Sequence, residues 1–306
     1  MKILITGVAG FIGQNLAPLL KKKGHYVIGL DIYSDIQSEI SEYIDEYRQY
    51  DLLSRGKLEQ IVKGIDYVVH LAGEASVNAD KKQLKLKNEL ATSYLVEALA
   101  KNENQKIIFL SSEKVNKKKH LYAESKKRAE NKIIFSSSNS GLKYTILRCA
   151  AIYGKGMKSN LMRWLEKVEL GSIRMMPPTN SEISMIGLND LCQIISGCID
   201  NIATDNKTYL VTDGHSYMIS EIESVVRNIH PVNKNKKTYP KVFIYLGSKI
   251  GDIFQSVGIK FPLNSGVYHM FFNNKVKHDP SIYNDLGLYP NQNFLEELPA
   301  LLTEKI

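Results

Sequence analysis

At 306 residues the chain can bury a substantial core, either as one large α/β domain or as a domain with a smaller lobe. Its composition is that of an ordinary globular protein, and no stretch approaches the roughly 18 apolar residues that a membrane span needs. The net charge of +8 comes from scattered lysines, with clusters at 21–23, 117–119 and 234–237 but no interleaved aromatics. That pattern argues against nucleic acid and suits an anionic small substrate.

The chain opens on the short apolar strand Ile3-Leu4-Ile5, which breaks into Thr6-Gly7-Val8-Ala9-Gly10-Phe11-Ile12-Gly13 and runs on as a helix over 11–23. A buried strand, a glycine turn and a helix N-terminus together form a cradle for a dinucleotide pyrophosphate. The spacing is GxxGxxG, so the generic fingerprint matches loosely and the context carries the reading. No signal peptide is expected, because the opening apolar run is short and enters the turn directly. A second strand over 26–30 ends at Asp31, eighteen residues past Gly13. A carboxylate there accepts hydrogen bonds from adenosine ribose hydroxyls and repels a 2′-phosphate. Ile32 and Tyr33 follow it without an Arg or Lys, which favours NAD(H) and leaves NADP(H) open. The plainer alternative is that Asp31 only caps a turn.

An Asp/Glu/Tyr-rich connection follows, then Asp51-Leu52-Leu53 and a helix near 54–63. The next strand spans 66–73, a long helix covers roughly 80–101, and Lys106 to Ser112 forms another strand. Strands separated by helix-length crossovers predict a parallel sheet covered on both faces, a Rossmann-type doubly wound α/β fold. Its ligands bind outside the carboxyl ends of the strands. Asp31, Asp51, the 71–76 segment and Ser111-Ser112 all fall at such ends.

Tyr122-Ala123-Glu124-Ser125-Lys126 begins the next helix, where Tyr122 and Lys126 share a face. A neighbouring ammonium is expected to pull the phenol below its usual pKa and make it a usable proton donor. Ser112, ten residues earlier, offers a hydroxyl to the same substrate oxygen. Cys149, Cys192 and Cys198 lack metal spacing and read as buried reduced thiols of a cytoplasmic protein.

These segments resemble, in order, the extended short-chain dehydrogenase/reductase superfamily of nucleotide-sugar epimerases, dehydratases and reductases. The matching stretches are TGVAGFIG, HLAG at 70–73, Asn88 in a segment similar to the family's NVxGT helix, FLSS at 109–112, YAESK, and LRCAAIYGKG at 147–156. The resemblance implies a catalytic Ser112, Tyr122 and Lys126, with Lys126 also reaching the nicotinamide ribose. It implies cofactor contacts from Gly7, Gly10, Phe11, Ile12, Gly13, Asp31, Asp51, Leu52, Leu71, Ala72, Gly73 and Asn88, together with Tyr122 and Lys126. On the substrate side the candidates read from their positions are Ser76, Ser112, Lys114, Asn160 and Arg163. Asn160 serves as a diphosphate contact or only as a helix N-cap; Lys114 and Arg163 face substrate or solvent.

SSEKVN at 111–116, YGKGMKSNLMRWL at 153–165, SMIGLNDL at 184–191, YLVTDG at 209–214 and DLGLYP at 285–290 are similar to 4-keto reductases acting on UDP-linked N-acetyl-dideoxyhexoses. Those enzymes supply precursors of surface polysaccharides such as O-antigen. A 4-epimerase that retains NAD through a full cycle uses the same site, and a non-catalytic NAD-binding regulator is a third reading. Two departures from the family stand out: the short connection between Val115 and Tyr122, and Ala151 where many epimerases place a diphosphate-binding Asn. The expected organisation is an NAD(P)-binding domain over 1–155 plus about 187–212, and a nucleotide-sugar lobe over about 156–186 plus 213–306. A homodimer through the helices around 80–101 and 122–135 is implied. The apolar run within 239–268 serves packing, substrate or a membrane surface.

Overall fold

The computed structural model describes the chain except residues 76–78, 103–104, 118–119, 158, 173–175, 178, 230–237, 239, 257–258, 260, 262, 273 and 304–306. It forms two compact units, one of Met1–Ala150, Leu188–Val211 and Asp279–Pro290, the other of Ala151–Gly187, Thr212–His278 and Asn291–Ile306.

In chain order the strands are β1 (Lys2–Thr6), β2 (Tyr26–Asp31), β3 (Glu46–Gln49), β4 (Tyr67–His70), β5 (Lys106–Ser112) and β6 (Lys143–Cys149). After them come β7 (Ala151–Tyr153), β8 (Glu182–Gly187), β9 (Lys207–Val211) and β10 (Ser216–Met218). The first unit holds a seven-stranded sheet in the order β3-β2-β1-β4-β5-β6-β9, every neighbouring pair parallel. This is the Rossmann-like α/β architecture. The strand order reverses between β1 and β4, which opens a crevice at their carboxyl ends.

Central strands covered on both faces carry continuous apolar runs. Ile3, Leu4 and Ile5 are fully buried, and every residue of β5 is buried. Each such aliphatic side chain contributes about 1.5–3 kcal/mol. The helix Phe11–Lys22 packs on the sheet through Gly13, Leu16, Ala17 and Leu20, a stripe at i, i+3, i+4 and i+7. β5 also begins with a buried lysine. Lys106 Nζ donates to the carbonyls of Cys198 (3.0 Å) and Asn201 (3.1 Å) and to Thr204 Oγ1 (2.8 Å), and pairs with Asp205 (2.8 Å). A buried ammonium is tolerated because its donors are so fully used.

The structure amends the expected layout in three places. β3 lies inside the Asp/Glu/Tyr-rich connection, as a half-buried edge strand whose Glu46 and Arg48 pair at 2.8 Å. Residues 279–290, expected in the lobe, belong to the first unit. Asp285 accepts from Tyr209 Oη (2.6 Å) and Lys207 Nζ (2.8 Å), and Leu286 packs against Gly197. Residues 151–155 belong instead to the second unit, because β7 pairs with β8 rather than joining the large sheet.

The second unit is built on the small sheet β10-β8-β7, antiparallel at β10–β8 and parallel at β7–β8. Its core gathers Tyr153, Tyr217 and Phe294, with ring centroids 5.1 and 5.6 Å from Phe294. The Tyr217 hydroxyl donates to Asp213 (2.7 Å) and accepts the Phe294 N–H (3.0 Å), so the buried phenol is satisfied.

Candidate active site

The glycine turn is held from three sides. Gly7 has φ +74°, and its N–H donates to the Leu30 carbonyl of β2 (2.8 Å). A Cβ at Gly7 would meet the Ala72 backbone nitrogen at 2.7 Å, so the segment leaving β4 crosses directly over the turn. A Cβ at Gly13 would lie 2.5 Å from the Val8 carbonyl oxygen, so only glycine lets the helix start this close to the strand. No side chain caps the first turn of that helix, so the positive end of its dipole is left to attract an anion. Phe11, Ile12, Leu71 and Ala72 are half-buried around the turn, and Gly73 is exposed. This set fits a dinucleotide. Gly13→Ala is expected to cost about 1–3 kcal/mol by overpacking and to weaken NADH binding, read from urea midpoints and cofactor fluorescence titration.

Asp31 ends β2 as expected, and it does cap the turn: Oδ2 accepts the Ala9 N–H (3.0 Å) and Oδ1 that of Ile32 (2.8 Å). Lone pairs remain on both oxygens for ribose hydroxyls. Asp51 is exposed and accepts the Leu53 N–H at 2.9 Å. Leu52 is buried in the core beneath β2 and β4, a packing residue in this structure.

Ser112 is the last residue of β5 and caps the short turn Glu113–Asn116 by accepting the Lys114 N–H at 3.2 Å. Its hydroxyl lies close enough to the Tyr122 phenol to favour the ionised form of that phenol. Tyr122 and Lys126 lie one turn apart on the helix Leu121–Ser140. Lys126 Nζ donates to the Leu110 carbonyl (2.8 Å) and stands 4.8 Å from the centre of the Phe109 ring. The helix buries Ala123, Ser125, Lys126, Ala129, Glu130 and Ile133. Two of these are charged, so its inward face is partly a polar network.

The electrostatics differ from the expectation. Burial pushes the Tyr122 phenol up to about 12, and the Ser112 hydroxyl only partly opposes this. Lys126 does not lower it here, because its ammonium is directed to Leu110. Burial brings Lys126 itself down to about 8, with Glu130 one turn further on favouring the charged form. At neutral pH the arrangement is therefore a neutral phenol beside a cationic lysine, suited to giving a proton to an oxygen placed between Ser112 and Tyr122.

Asn88 occupies a π-helical turn, Lys85–Leu90, between the helices Lys81–Leu84 and Ala91–Leu99. Its Oδ1 accepts the Glu74 N–H (2.7 Å), and its Nδ2 donates to the Glu74 carbonyl (3.1 Å) and Ser125 Oγ (3.0 Å). Ser125 Oγ in turn donates to the Tyr122 carbonyl (2.8 Å). Asn88 thus ties the loop after β4 to the helix bearing Tyr122.

The sequence reading missed a second chain of bonds beneath the turn. Thr92 Oγ1 donates to the Asn88 carbonyl (2.6 Å) and so accepts from His70 Nε2 (3.0 Å). His70 Nδ1 then accepts from Thr6 Oγ1 (2.7 Å), which accepts the Ala72 N–H (3.3 Å). Burial lowers His70 to about 3, in keeping with a neutral ring locked as the Nε2–H tautomer. The only sequence signal was the histidine of HLAG.

Ser76 lies outside the described residues, as do Lys118 and Lys119 of the short connection before Tyr122. Lys114 is half-buried, and desolvation lowers its pKa. Asn160 and Arg163 belong to the second unit and are exposed on the helix Asn160–Glu169. Asn160 is not the N-cap. That position is Ser159, whose Oγ accepts the Met162 N–H at 3.0 Å.

A doubly wound sheet with a glycine cradle at its switch point, and Ser, Tyr and Lys grouped at the end of β5, defines an NAD-dependent enzyme of the extended short-chain dehydrogenase/reductase type. Residues 3–211 match the NAD dependent epimerase/dehydratase family, and the chain belongs to it. Among curated relatives it is 28% identical over 247 residues to a UDP-glucose 4-epimerase of Vibrio cholerae, covering 72% of this chain and 73% of the relative. It is 23% identical over 228 residues to a UDP-2-acetamido-2,6-beta-L-arabino-hexul-4-ose reductase of Pseudomonas aeruginosa, covering 72% of this chain but only 56% of the relative. In fold it is similar to a UDP-glucuronic acid 4-epimerase of Bacillus cereus solved with UDP-glucuronic acid and NAD, at 19% identity and TM-score 0.78 over the whole of both chains. A UDP-glucose 4-epimerase of Thermotoga maritima matches equally well, with TM-score 0.78 at 20% identity, covering 100% of this chain and 99% of that one. Among the described residues no helix is long and apolar enough to cross a membrane.

Proposed function

We propose that this protein reduces the C4 keto group of a UDP-linked 6-deoxyhexos-4-ulose, N-acetylated at the sugar, using NADH. The observation that carries the reading is the Ser112–Tyr122 hydroxyl pair with a phenol held neutral beside cationic Lys126. Bound NADH supplies the hydride for the carbonyl carbon. Tyr122 gives its proton to the carbonyl oxygen, and the Ser112 hydroxyl orients that oxygen. Lys126, fixed by the Leu110 carbonyl, keeps further N–H donors for the nicotinamide ribose. Gly7 to Gly13 receive the pyrophosphate, and Asp31 selects NAD(H) by repelling a 2′-phosphate. Lys114 is the candidate for the sugar, and Asn160 and Arg163 are the second unit's candidates for the diphosphate.

A 4-epimerase is the second reading, supported by the similarity to UDP-glucose 4-epimerase. Its first step takes a proton from the C4 hydroxyl and therefore needs a phenolate, which the positive charge of bound NAD+ would favour. The test incubates purified protein with UDP- and dTDP-4-keto-6-deoxy sugars and either NADH or NADPH, with products identified by NMR. The expected result is stoichiometric NADH oxidation with a C4 carbinol product. Cofactor that survives dialysis, with UDP-sugars interconverted in the absence of added NADH, overturns the reductase reading in favour of the epimerase.

A further inference from the structure

β4 carries two fully buried valines, Val68 and Val69, and then ends on a histidine that is 1% exposed. An aliphatic residue would continue the apolar run, and a polar side chain is tolerated there only when its groups are satisfied. Both nitrogens of His70 are satisfied, by hydroxyls that belong to different parts of the site. Nδ1 accepts from Thr6 at 2.7 Å, and Nε2 donates to Thr92 at 3.0 Å. Thr6, Thr92 and Asn88 are 0, 1 and 2% exposed, so water does not compete for these bonds. The ring also stacks on Phe109 of β5, centroids 5.6 Å apart, and Phe109 in turn lies beside the Lys126 ammonium.

Followed outward from the ring, the bonds reach both halves of the site. On one side Thr6 immediately precedes Gly7, and its hydroxyl accepts the Ala72 N–H, which holds the segment leaving β4 across the glycine turn. On the other side Thr92 donates to the carbonyl of Asn88, in the π-helical turn, a distortion often found at functional sites. The Asn88 amide donates to Ser125, and Ser125 to the Tyr122 carbonyl. From the Ala72 N–H to the backbone of Tyr122 each group donates to the next. The Thr92 proton is already given to Asn88, so the direction requires a neutral ring with its hydrogen on Nε2. Burial, aided by the Lys126 charge, keeps His70 neutral, with its pKa down to about 3.

We propose that His70 is a positioning residue that couples the cofactor cradle to the helix bearing Tyr122, acting through Thr6 and Thr92 rather than on the reacting atoms. The inference rests on the dinucleotide cradle and not on which sugar is reduced. Its first test is a double-mutant cycle on NADH affinity, read by fluorescence titration of the full chain. Thr6→Val is expected to weaken binding about tenfold and Thr92→Val about fivefold, each the size of a lost buried hydrogen bond. Because the two hydroxyls meet on one ring, the double variant should be weakened about tenfold, and not by the product, about fiftyfold. In a His70→Phe background, which keeps a ring on Phe109 without nitrogens, Thr92→Val should change affinity by less than about twofold. A purely structural role lowers thermal midpoints but gives additive or absent effects on affinity, and either result overturns the proposal. Nitrogen-15 NMR of the wild-type protein at neutral pH needs no variant to fold. A His70 hydrogen on Nε2 is expected, and one on Nδ1 or on both nitrogens overturns the relay. Thr92→Val should also lower kcat for the keto-sugar about tenfold with KM within about twofold, and an unchanged kcat counts against the coupling. A protein that turns over no keto-sugar yet shows the affinity cycle keeps the relay and loses the reductase reading instead.

Discussion

Tyr122→Phe is expected to lower kcat/KM for the keto-sugar by about a hundred- to ten-thousand-fold, the range of a lost general acid, while NADH affinity and the thermal midpoint stay close to wild type. The substitution keeps the ring and removes only the hydroxyl, so packing at this half-buried position is preserved. Steady-state turnover and NADH fluorescence titration separate the two effects. Unchanged turnover would sink the assignment of the proton donor. The pH profile carries further information. With Tyr122 raised to about 12, the phenol stays protonated through the working range and produces no limb of its own. Lys126, lowered to about 8, is the group that changes charge, and activity should fall as pH rises through that value because the ammonium that would hold the nicotinamide ribose is lost. Lys126→Arg keeps a cation at all accessible pH values. It should shift that falling limb upward even where it lowers the maximal rate.

The elements that sequence reading recovers are those whose energetics are local and periodic. β1, the glycine turn and the following helix are legible because a buried strand is a continuous apolar run, and the helix repeats its apolar stripe at three and four residues. Ser112, Tyr122 and Lys126 are legible as a short motif after a strand. β3 is not, since an edge strand of Glu, Tyr, Arg and Gln is stabilised by pairing with β2 rather than by an apolar face. The relay from Thr6 through His70 to Thr92 joins residues 64 and 22 positions apart, beyond any periodic signal. The altered state of Tyr122 is hidden for a related reason. Spacing puts an ammonium one turn away, but Lys126 spends a donor on Leu110, and burial then decides the phenol's pKa.

Glu130 supplies the largest expected effect on stability. Its carboxylate is fully buried, accepts from Arg148 Nε (2.9 Å) and Nη2 (2.7 Å) and from Ser111 Oγ (2.6 Å), and meets Lys127 at 3.2 Å. Burial alone would raise its pKa. The hydrogen bonds from Arg148, Ser111 and Lys127 and the Arg148 charge outweigh that and hold it below the usual range. Glu130→Gln keeps the shape but leaves the Arg148 guanidinium without its carboxylate. Because the Arg148 side chain is 24% exposed, the expected cost is near the low end for a broken buried pair, about 3 kcal/mol. It should appear as a lower urea midpoint at an unchanged slope. The folded pKa lies below the unfolded value of about 4.3, so this stabilisation is complete above that pH and is lost as pH falls through the folded value. Wild type and variant should therefore converge in acid, and equal midpoints at neutral pH would refute the account. Glu130 also stands one turn from Lys126 and bonds the residue preceding Ser112, so the pair fixes β5 and the helix in the register on which the site depends. A variant that remains folded should accordingly lose kcat more than NADH affinity, because the cradle after β1 is built from other residues.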